Sequence, residues 1–231
     1  MANVSGLSSM GERHRVFAIG GQGRDAPPRL ALKVGETSLA SADLGGTSWG
    51  AGVVLAWMFA QGLIQNLPAN PRILELGAGT GLGGLAAAAM DPTALVTLTD
   101  YHEGVLATLR ENLAANKLEG TIAALDWSWF RDATTIPTSL VPPATRWDLI
   151  MAADVVYDMS TPDHLDAVLA RLDGDAVLMV LPMRPRYAAE LNWFEKRVAG
   201  HRAWETVVLT YRGAFYKVYS TQGLLVPTWG R

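Results

Sequence analysis

The sequence predicts an α/β protein built on a doubly wound, seven-stranded, mostly parallel sheet. Three observations carry that prediction. Short apolar runs alternate with helix-spaced apolar stripes along most of the chain. The run at 72–76 leads straight into Gly77-Ala-Gly-Thr-Gly81, and later runs end in an acid at Asp100, Asp126 and Asp154. Alternation of strand and helix demands parallel pairing, with helices on both faces of the sheet.

The 231 residues suffice for one large α/β domain with a full core. An apolar fraction of 49% with 18% charged residues excludes a disordered chain. A net charge of −3 gives no support for a nucleic-acid or anionic-membrane partner, and none is expected. There is no cysteine, which rules out disulfides, thiolate catalysis and cysteine-ligated metal. His14, His102, His164 and His201 show no ligand spacing, so no metal site is expected. The first ten residues hold no apolar stretch of signal-peptide type, and no run approaches ~20 apolar residues. The expected location is cytoplasmic, with the nucleus also open.

Residues 1–12 are small and polar and are expected to form a mobile tail. Residues 13–231 are expected to form a single domain. Its first part, 13–48, reads as an extension in which apolar runs at 16–19 and 30–34 flank a loop at 20–28, predicting a β-hairpin outside the main sheet. Trp49 opens the core of the domain, 49–231, with a helical pattern through Val54/Leu55, Met58/Phe59 and Leu63, closed by Pro68 and Pro71. A strand over 72–76 is followed by the glycine turn and an Ala-rich helix over 81–90. A second strand covers 94–100, and Val105/Leu106, Leu109 and Leu113 mark the next helix. The third strand is predicted over 121–127, and three prolines make 128–146 a long loop. A fourth strand covers 147–154, a helix follows through Leu165, Val168/Leu169 and Leu172, and 173–175 reads as a turn. The fifth strand covers 176–181, followed by a stripe of Leu191, Phe194 and Val198. Runs at 206–211 and 215–219 flank Arg212-Gly-Ala214, a hairpin that supplies the one antiparallel strand.

In an open parallel sheet, ligands bind beyond the carboxyl ends of the strands. Gly77, Gly79 and Gly81 would let the backbone approach a ligand closely. Asp100 could accept hydrogen bonds from both hydroxyls of a ribose. Asp126 could accept from an adenine amino group, Trp127 could cover the ring face, and Glu75 could position a ligand ammonium. A dinucleotide fits poorly. The turn reads Gly-x-Gly-x-Gly, not Gly-x-Gly-x-x-Gly, and a pyrophosphate would face four acids with no basic residue in the turn. A cationic sulfonium bearing an ammonium suits the acids better, which points to S-adenosyl-L-methionine and its product S-adenosyl-L-homocysteine.

Glu75-Leu-Gly-Ala-Gly-Thr-Gly81, Thr99-Asp100, Leu125-Asp-Trp127 and the run from Trp147 to Tyr157 resemble the seven-β-strand methyltransferases. More narrowly, Asp154-Val-Val-Tyr157 is similar to the Asp-x-x-Tyr motif of the nicotinamide-methyltransferase-like group of protein lysine methyltransferases. Thr47-Ser-Trp49 resembles that group's Trp-bearing start of the first helix, and the resemblance spans roughly 45–220. It implies that Trp49, Glu75, Gly77, Ala78, Gly79, Gly81, Asp100, Tyr101, Asp126, Trp127 and the backbone near Ala153 bind the cofactor. Asp154 and Tyr157 would be the catalytic pair bordering a lysine ε-amine of a protein substrate. A monomer is expected, because a protein substrate needs an accessible pocket mouth. Gly50 departs from the group, which often has a larger residue there, and Trp127-Ser-Trp-Phe130 is more aromatic than expected. A small-molecule N- or O-methyltransferase and a non-catalytic scaffold that retains the cofactor pocket are the alternatives.

A lysine acceptor, with its ordinary pKa of ~10.4, must lose a proton before it can attack. Burial favours that loss. Asp154 could hold the arriving ammonium and orient its lone pair, while Tyr157, Trp49 or Trp129 could face the amine by cation–π contact. Trp129 and Phe130 read equally as loop anchors or a substrate wall. Arg184 and Arg186 read as the rim of a substrate groove or as plain surface arginines.

Overall fold

The computed structural model describes residues 14–20, 27–37, 43–130, 146–172, 174–198, 203–221 and 223–226. The tail expected at 1–12 and most of the loop expected at 128–146 lie outside these residues.

The chain runs β1 (His14–Ile19), β2 (Leu30–Gly35), α1 (Gly50–Ala60), β3 (Arg72–Leu76), α2 (Leu82–Met90), β4 (Leu95–Asp100), α3 (Glu103–Asn116) and β5 (Thr121–Ala124). It continues through β6 (Trp147–Ala153), α4 (Thr161–Arg171), β7 (Gly174–Pro182), α5 (Ala188–Arg197), β8 (Trp204–Tyr211) and β9 (Ala214–Thr221). Seven strands form one sheet in the order β5-β4-β3-β6-β7-β9-β8. β3, β4, β5, β6 and β7 pair in parallel, and β9 runs antiparallel between β7 and β8. After β3 the chain winds outward through β4 and β5, then returns to the other side of β3 as β6. The switch point thus lies between β3 and β6, where a crevice opens at the carboxyl ends.

Strands buried on both faces need apolar residues at successive positions. Ile73, Leu74, Glu75 and Leu76 of β3 are all buried, and so are Leu149 to Ala152 of β6. One face of the sheet packs against α1, α2 and α3, with residues such as Leu55, Leu85 and Leu109. The other face packs against α4 and α5 through Leu165, Val168 and Phe194. Each fully buried Leu or Val contributes roughly 1.5–3 kcal/mol. A core of this size offsets the cost of keeping Glu75, Asp100 and Asp154 out of water.

The N-terminal hairpin forms as expected, as a separate two-stranded sheet of β1 and β2. Two asparagines one turn apart on α3 hold it. Asn116 accepts from Lys33 N at 2.8 Å and donates to Lys33 O at 2.7 Å. Asn112 accepts from Gly35 N at 2.6 Å and donates to both Gly35 O and Thr80 O. Side-chain amides thus satisfy the strand backbone where no neighbouring strand does. Asn112 also ties the hairpin to the glycine turn.

The third and fifth strands of the main sheet differ from expectation. β5 ends at Ala124, not at Trp127. Leu125 N then donates to Asp100 O, and a short 3-10 turn, Trp127–Phe130, follows. Phe130 is fully buried with Trp129 packed against the same core, so these two residues are loop anchors. β7 already begins at Gly174, which pairs with Trp147, where a turn was expected. At the C-terminus, Arg212 and Gly213 both have positive φ and join β8 to β9. That is the two-residue hairpin geometry whose twist matches the strands.

Candidate functional site

A crevice of about 610 Å³ lies over the carboxyl ends of β3, β4, β5 and β6. Its floor is the turn after β3. Ala78 N donates to Thr99 O at 2.8 Å, which pins the turn to β4. Gly77 and Gly79 have φ of +60° and +55°, a region in which L side chains are strained. A Cβ on Gly77 would lie 3.2 Å from the Trp127 ring and 3.1 Å from Val155, and one on Gly79 would lie 3.2 Å from Gly45 O. The bare backbone is what lets Trp127 close over the floor.

Gly81 is placed differently from Gly77 and Gly79. It is buried, precedes α2 as its N-cap at φ +80°, and does not line the crevice. A Cβ there would meet Leu109 of α3, so packing against a helix explains this glycine.

Glu75 is buried beneath the turn, and its carboxylate accepts from Gly84 N at 2.8 Å. It therefore occupies the N-terminal end of α2. Burial pushes its pKa up from 4.5 to about 8, against the Gly84 hydrogen bond and with help from the Asp100 charge. Asp100 is buried and accepts three backbone hydrogen bonds: Gly79 N to Oδ2 at 3.1 Å, and Tyr101 N and His102 N to Oδ1 at 2.8 and 3.2 Å. Burial raises its pKa against those three amides. A carboxylate offers about four lone-pair sites. Three are engaged, so Asp100 has room for about one further hydrogen bond, not the two expected for a ribose. Asp126 lies beyond the end of β5, with Oδ1 accepting from Ser128 N at 2.8 Å. Tyr101, Asp126, Trp127 and Ala153 all line the crevice.

The other end of the crevice is built by the residues that follow β6 and β7. Asp154 N donates to Val180 O at 3.0 Å, and Asp154 sits at φ +59° with its side chain buried. Both of its oxygens accept from Arg184: Nη1 to Oδ1 at 2.9 Å and Nη2 to Oδ2 at 2.5 Å. Burial raises the Asp154 pKa, and the adjacent guanidinium opposes the rise. Arg184 also lies over the ring of Trp49, at 5.4 Å, and near that of Tyr187, at 5.8 Å. Trp49 Nε1 donates to Leu44 O at 2.9 Å, which fixes the indole beside α1. Tyr157, Arg186 and Tyr187 complete this end.

The structure thus gathers the sequence-predicted site residues into one crevice, except Gly81. Sequence reasoning left Arg184 between rim and surface; its bond to Asp154 makes it part of the site. The available signal was positional. Arg184 follows β7, the neighbour of β6, just as Asp154 follows β6. The departure at Gly50 also has a cause, because a Cβ there would strike the Tyr216 hydroxyl. Among the described residues, no cluster of three or more acids or histidines is placed to hold a metal ion. No helix among them is long and apolar enough to cross a membrane.

Comparison with known proteins bears on the family and the fold. A family model described as lysine methyltransferase matches residues 28–198. The chain is 32% identical over 143 residues to protein N-lysine methyltransferase METTL21A of Danio rerio, covering 60% of each chain. It is 32% identical over 179 residues to human protein-lysine N-methyltransferase EEF2KMT, covering 71% of this chain and 49% of that one. It therefore spans only about half to two thirds of the length of these curated relatives. Among solved structures, the T. thermophilus 16S rRNA N2 G1207 methyltransferase, in complex with AdoMet and guanosine, superposes with a TM-score of 0.55 at 18% identity. That match covers 93% of this chain and 52% of that one. A methyltransferase from Pyrococcus furiosus gives a TM-score of 0.53 at 18% identity, over 72% and 81% of the two chains. At such identities the structures show a shared fold.

Proposed function

This chain belongs to the lysine methyltransferase family, and from that premise we propose that it transfers a methyl group from S-adenosyl-L-methionine to a lysine ε-amine in a protein. The observation that carries the cofactor assignment is the position of Glu75. The N-terminus of a helix after a glycine turn is where a dinucleotide fold holds its pyrophosphate. Here the Glu75 carboxylate occupies that place, and the turn holds no basic side chain. The crevice suits a cation.

In this reading Gly77, Ala78 and Gly79 form the floor under the cofactor, and Asp100 accepts from its ribose. Asp126 and Trp127 take the adenine edge and face, while Trp49, Glu75 and the Ala153 backbone bound the methionine end. The cofactor supplies an electrophilic methyl on a sulfonium and departs as the thioether S-adenosyl-L-homocysteine. The protein's own contribution is alignment and exclusion of water. Asp154 and Tyr157 border the acceptor, hold the amine, and aim its lone pair into the crevice. A carboxylate is a poor base for an ammonium, so Asp154 positions the amine and the proton leaves to water. The cysteine-free sequence supports a cytoplasmic location, and a monomer leaves the mouth accessible to a protein.

The experiment has two parts. Calorimetry should show binding of S-adenosyl-L-homocysteine to the purified chain. Tritiated cofactor added to cell lysate should then label protein on lysine, and Asp154→Ala should abolish labelling while retaining cofactor binding. Label appearing only in small molecules would replace the protein substrate with a small-molecule acceptor.

A further inference from the structure

The function proposed above gives Arg184 no task, although it lines the crevice. Arg184 carries a fixed positive charge and faces the acceptor end. Its four contacts, the two Asp154 oxygens and the faces of Trp49 and Tyr187, are those that an arriving ammonium would make. An acceptor ammonium would therefore approach a carboxylate already neutralised, with a guanidinium next to it. A neighbouring like charge disfavours the charged form of an amine, and lysine nucleophiles elsewhere are activated by such a neighbour.

Resting on the lysine reading, we infer that Arg184 sets the charge state of the acceptor: the Asp154–Arg184 pair admits a lysine side chain as the neutral amine. Asp154 then gives direction through a remaining lone pair, and Arg184 withholds the full negative charge that would trap the ammonium. The proton lost on entry goes to water. Arg184 is a positioning residue in this scheme, acting through Asp154.

The other charged and titratable groups at this end are Asp158, His164, Arg186, Tyr157 and Tyr187 on the crevice wall, with Tyr216 behind Asp154 and Arg184. Hydrogen bonds from Ser160 and Thr161 hold Asp158 below the usual carboxylate range. Asp158 thus keeps constant charge between pH 7 and 10. The remaining groups are the same in every variant compared, so a difference between variants reports on position 184.

The test uses n-butylamine as a lysine side-chain probe on the protein saturated with S-adenosyl-L-homocysteine, followed by NMR from pH 7 to 10. The unaltered protein should bind the amine increasingly as pH rises towards the amine's own pKa and only weakly at pH 7. Arg184→Gln should bind butylammonium at pH 7 at least about tenfold more tightly than the unaltered protein, and Arg184→Lys should behave like the unaltered protein. Retained affinity for S-adenosyl-L-homocysteine shows that each variant is folded. Equal affinity of the unaltered and Gln proteins at pH 7, or absence of binding in both, overturns the inference. A parallel pH profile of tritium transfer into lysate protein separates the two ideas. No labelling by the unaltered protein sinks the lysine reading, and this inference with it. Labelling with an unshifted Gln profile sinks only the inference.

Discussion

Arg184 meets both oxygens of Asp154 in a bidentate pair that ties the chain after β7 to the chain after β6. Asp154 holds a left-handed backbone conformation, φ +59°, which an Asp tolerates better than most side chains. That conformation turns the chain out of the sheet immediately after Ala153 and leaves the carboxylate under the guanidinium. The pair is asymmetric in exposure: the Asp154 side chain is 4% exposed and that of Arg184 33%. The acid is the group that burial penalises.

Removing the arginine should therefore hurt more as the acid ionises. Arg184→Ala should cost about 3 kcal/mol at neutral pH, the low end for breaking a buried pair, because Arg184 is a third exposed. The folded-state pKa of Asp154 is already raised by burial and would rise further without its partner. A folded state that holds its proton to higher pH than the unfolded chain loses stability as pH rises. The deficit should thus be small near pH 4 and larger at pH 7. Urea denaturation at the two pH values measures it, and an equal deficit at both would show that the pair contributes no linked stability.

Gly50 and Tyr216 form a second testable pair. Gly50 is the first residue of α1, where an unobstructed Gly→Ala gains at most about 1 kcal/mol. Here the added methyl meets the Tyr216 hydroxyl, and overpacking costs about 1–3 kcal/mol. Gly50→Ala should be destabilising on its own and neutral to stabilising in a Tyr216→Phe background. Four denaturation curves close the cycle; additive effects would mean that the two positions do not interact.

The sheet was legible because its signal is local. Leu149 to Ala152 is a continuous apolar run and Ile73 to Leu76 is interrupted only by Glu75, and both fit a strand covered on its two faces. The strand-end acids were legible for the same reason, since each closes its own run. The end of β5 was not. Leu125 continues the apolar pattern and its N–H makes the last ladder bond, to Asp100 O; Asp126 then accepts from Ser128 N and the chain turns into the Trp127–Phe130 3-10 turn, which the apolar pattern of 121–127 does not show. The packing of Gly81 was not legible because a glycine shaped by a ligand and one shaped by a neighbouring helix look alike in sequence; its contact, Leu109, lies 28 positions on. Arg184 was ambiguous because its partner lies 30 residues away. Pairings across adjacent strand ends become visible only once strand order is known.

Asp100 and Asp126 should respond differently to the same isosteric change. Asp100 accepts three backbone hydrogen bonds, so Asp100→Asn turns an amide group towards a donor. That should cost about 1–3 kcal/mol of stability and weaken S-adenosyl-L-homocysteine binding by at least about tenfold, or ~1.4 kcal/mol. Asp126 accepts from Ser128 N through Oδ1, and Asn can keep that bond. Asp126→Asn should weaken binding while leaving stability within about 0.5 kcal/mol. Calorimetry and thermal melts of both variants decide the matter; undiminished binding by Asp126→Asn would remove Asp126 from the site.

Glu75 should couple the site to pH. Its place at the N-terminus of α2 favours the carboxylate, yet burial wins and lifts its pKa from 4.5 to about 8. Between those values the folded chain holds a proton that the unfolded chain has released. Stability should therefore fall with rising pH across this window, by up to ~1.4 kcal/mol per pH unit. Glu75→Gln keeps an oxygen for Gly84 N and cannot titrate, so its stability relative to the unaltered chain should climb from pH 5 to pH 8. Asp100 and Asp154 shift in the same direction as Glu75; because both variants retain them, the difference isolates Glu75 to a first approximation. A flat difference would show that Glu75 ionises normally. Binding of a cation beside Glu75 should also expel the proton. Titration with S-adenosyl-L-methionine at pH 7, in two buffers of different ionisation enthalpy, should register proton release from the unaltered chain and much less from Glu75→Gln. Equal release from both would place the cation's charge away from Glu75.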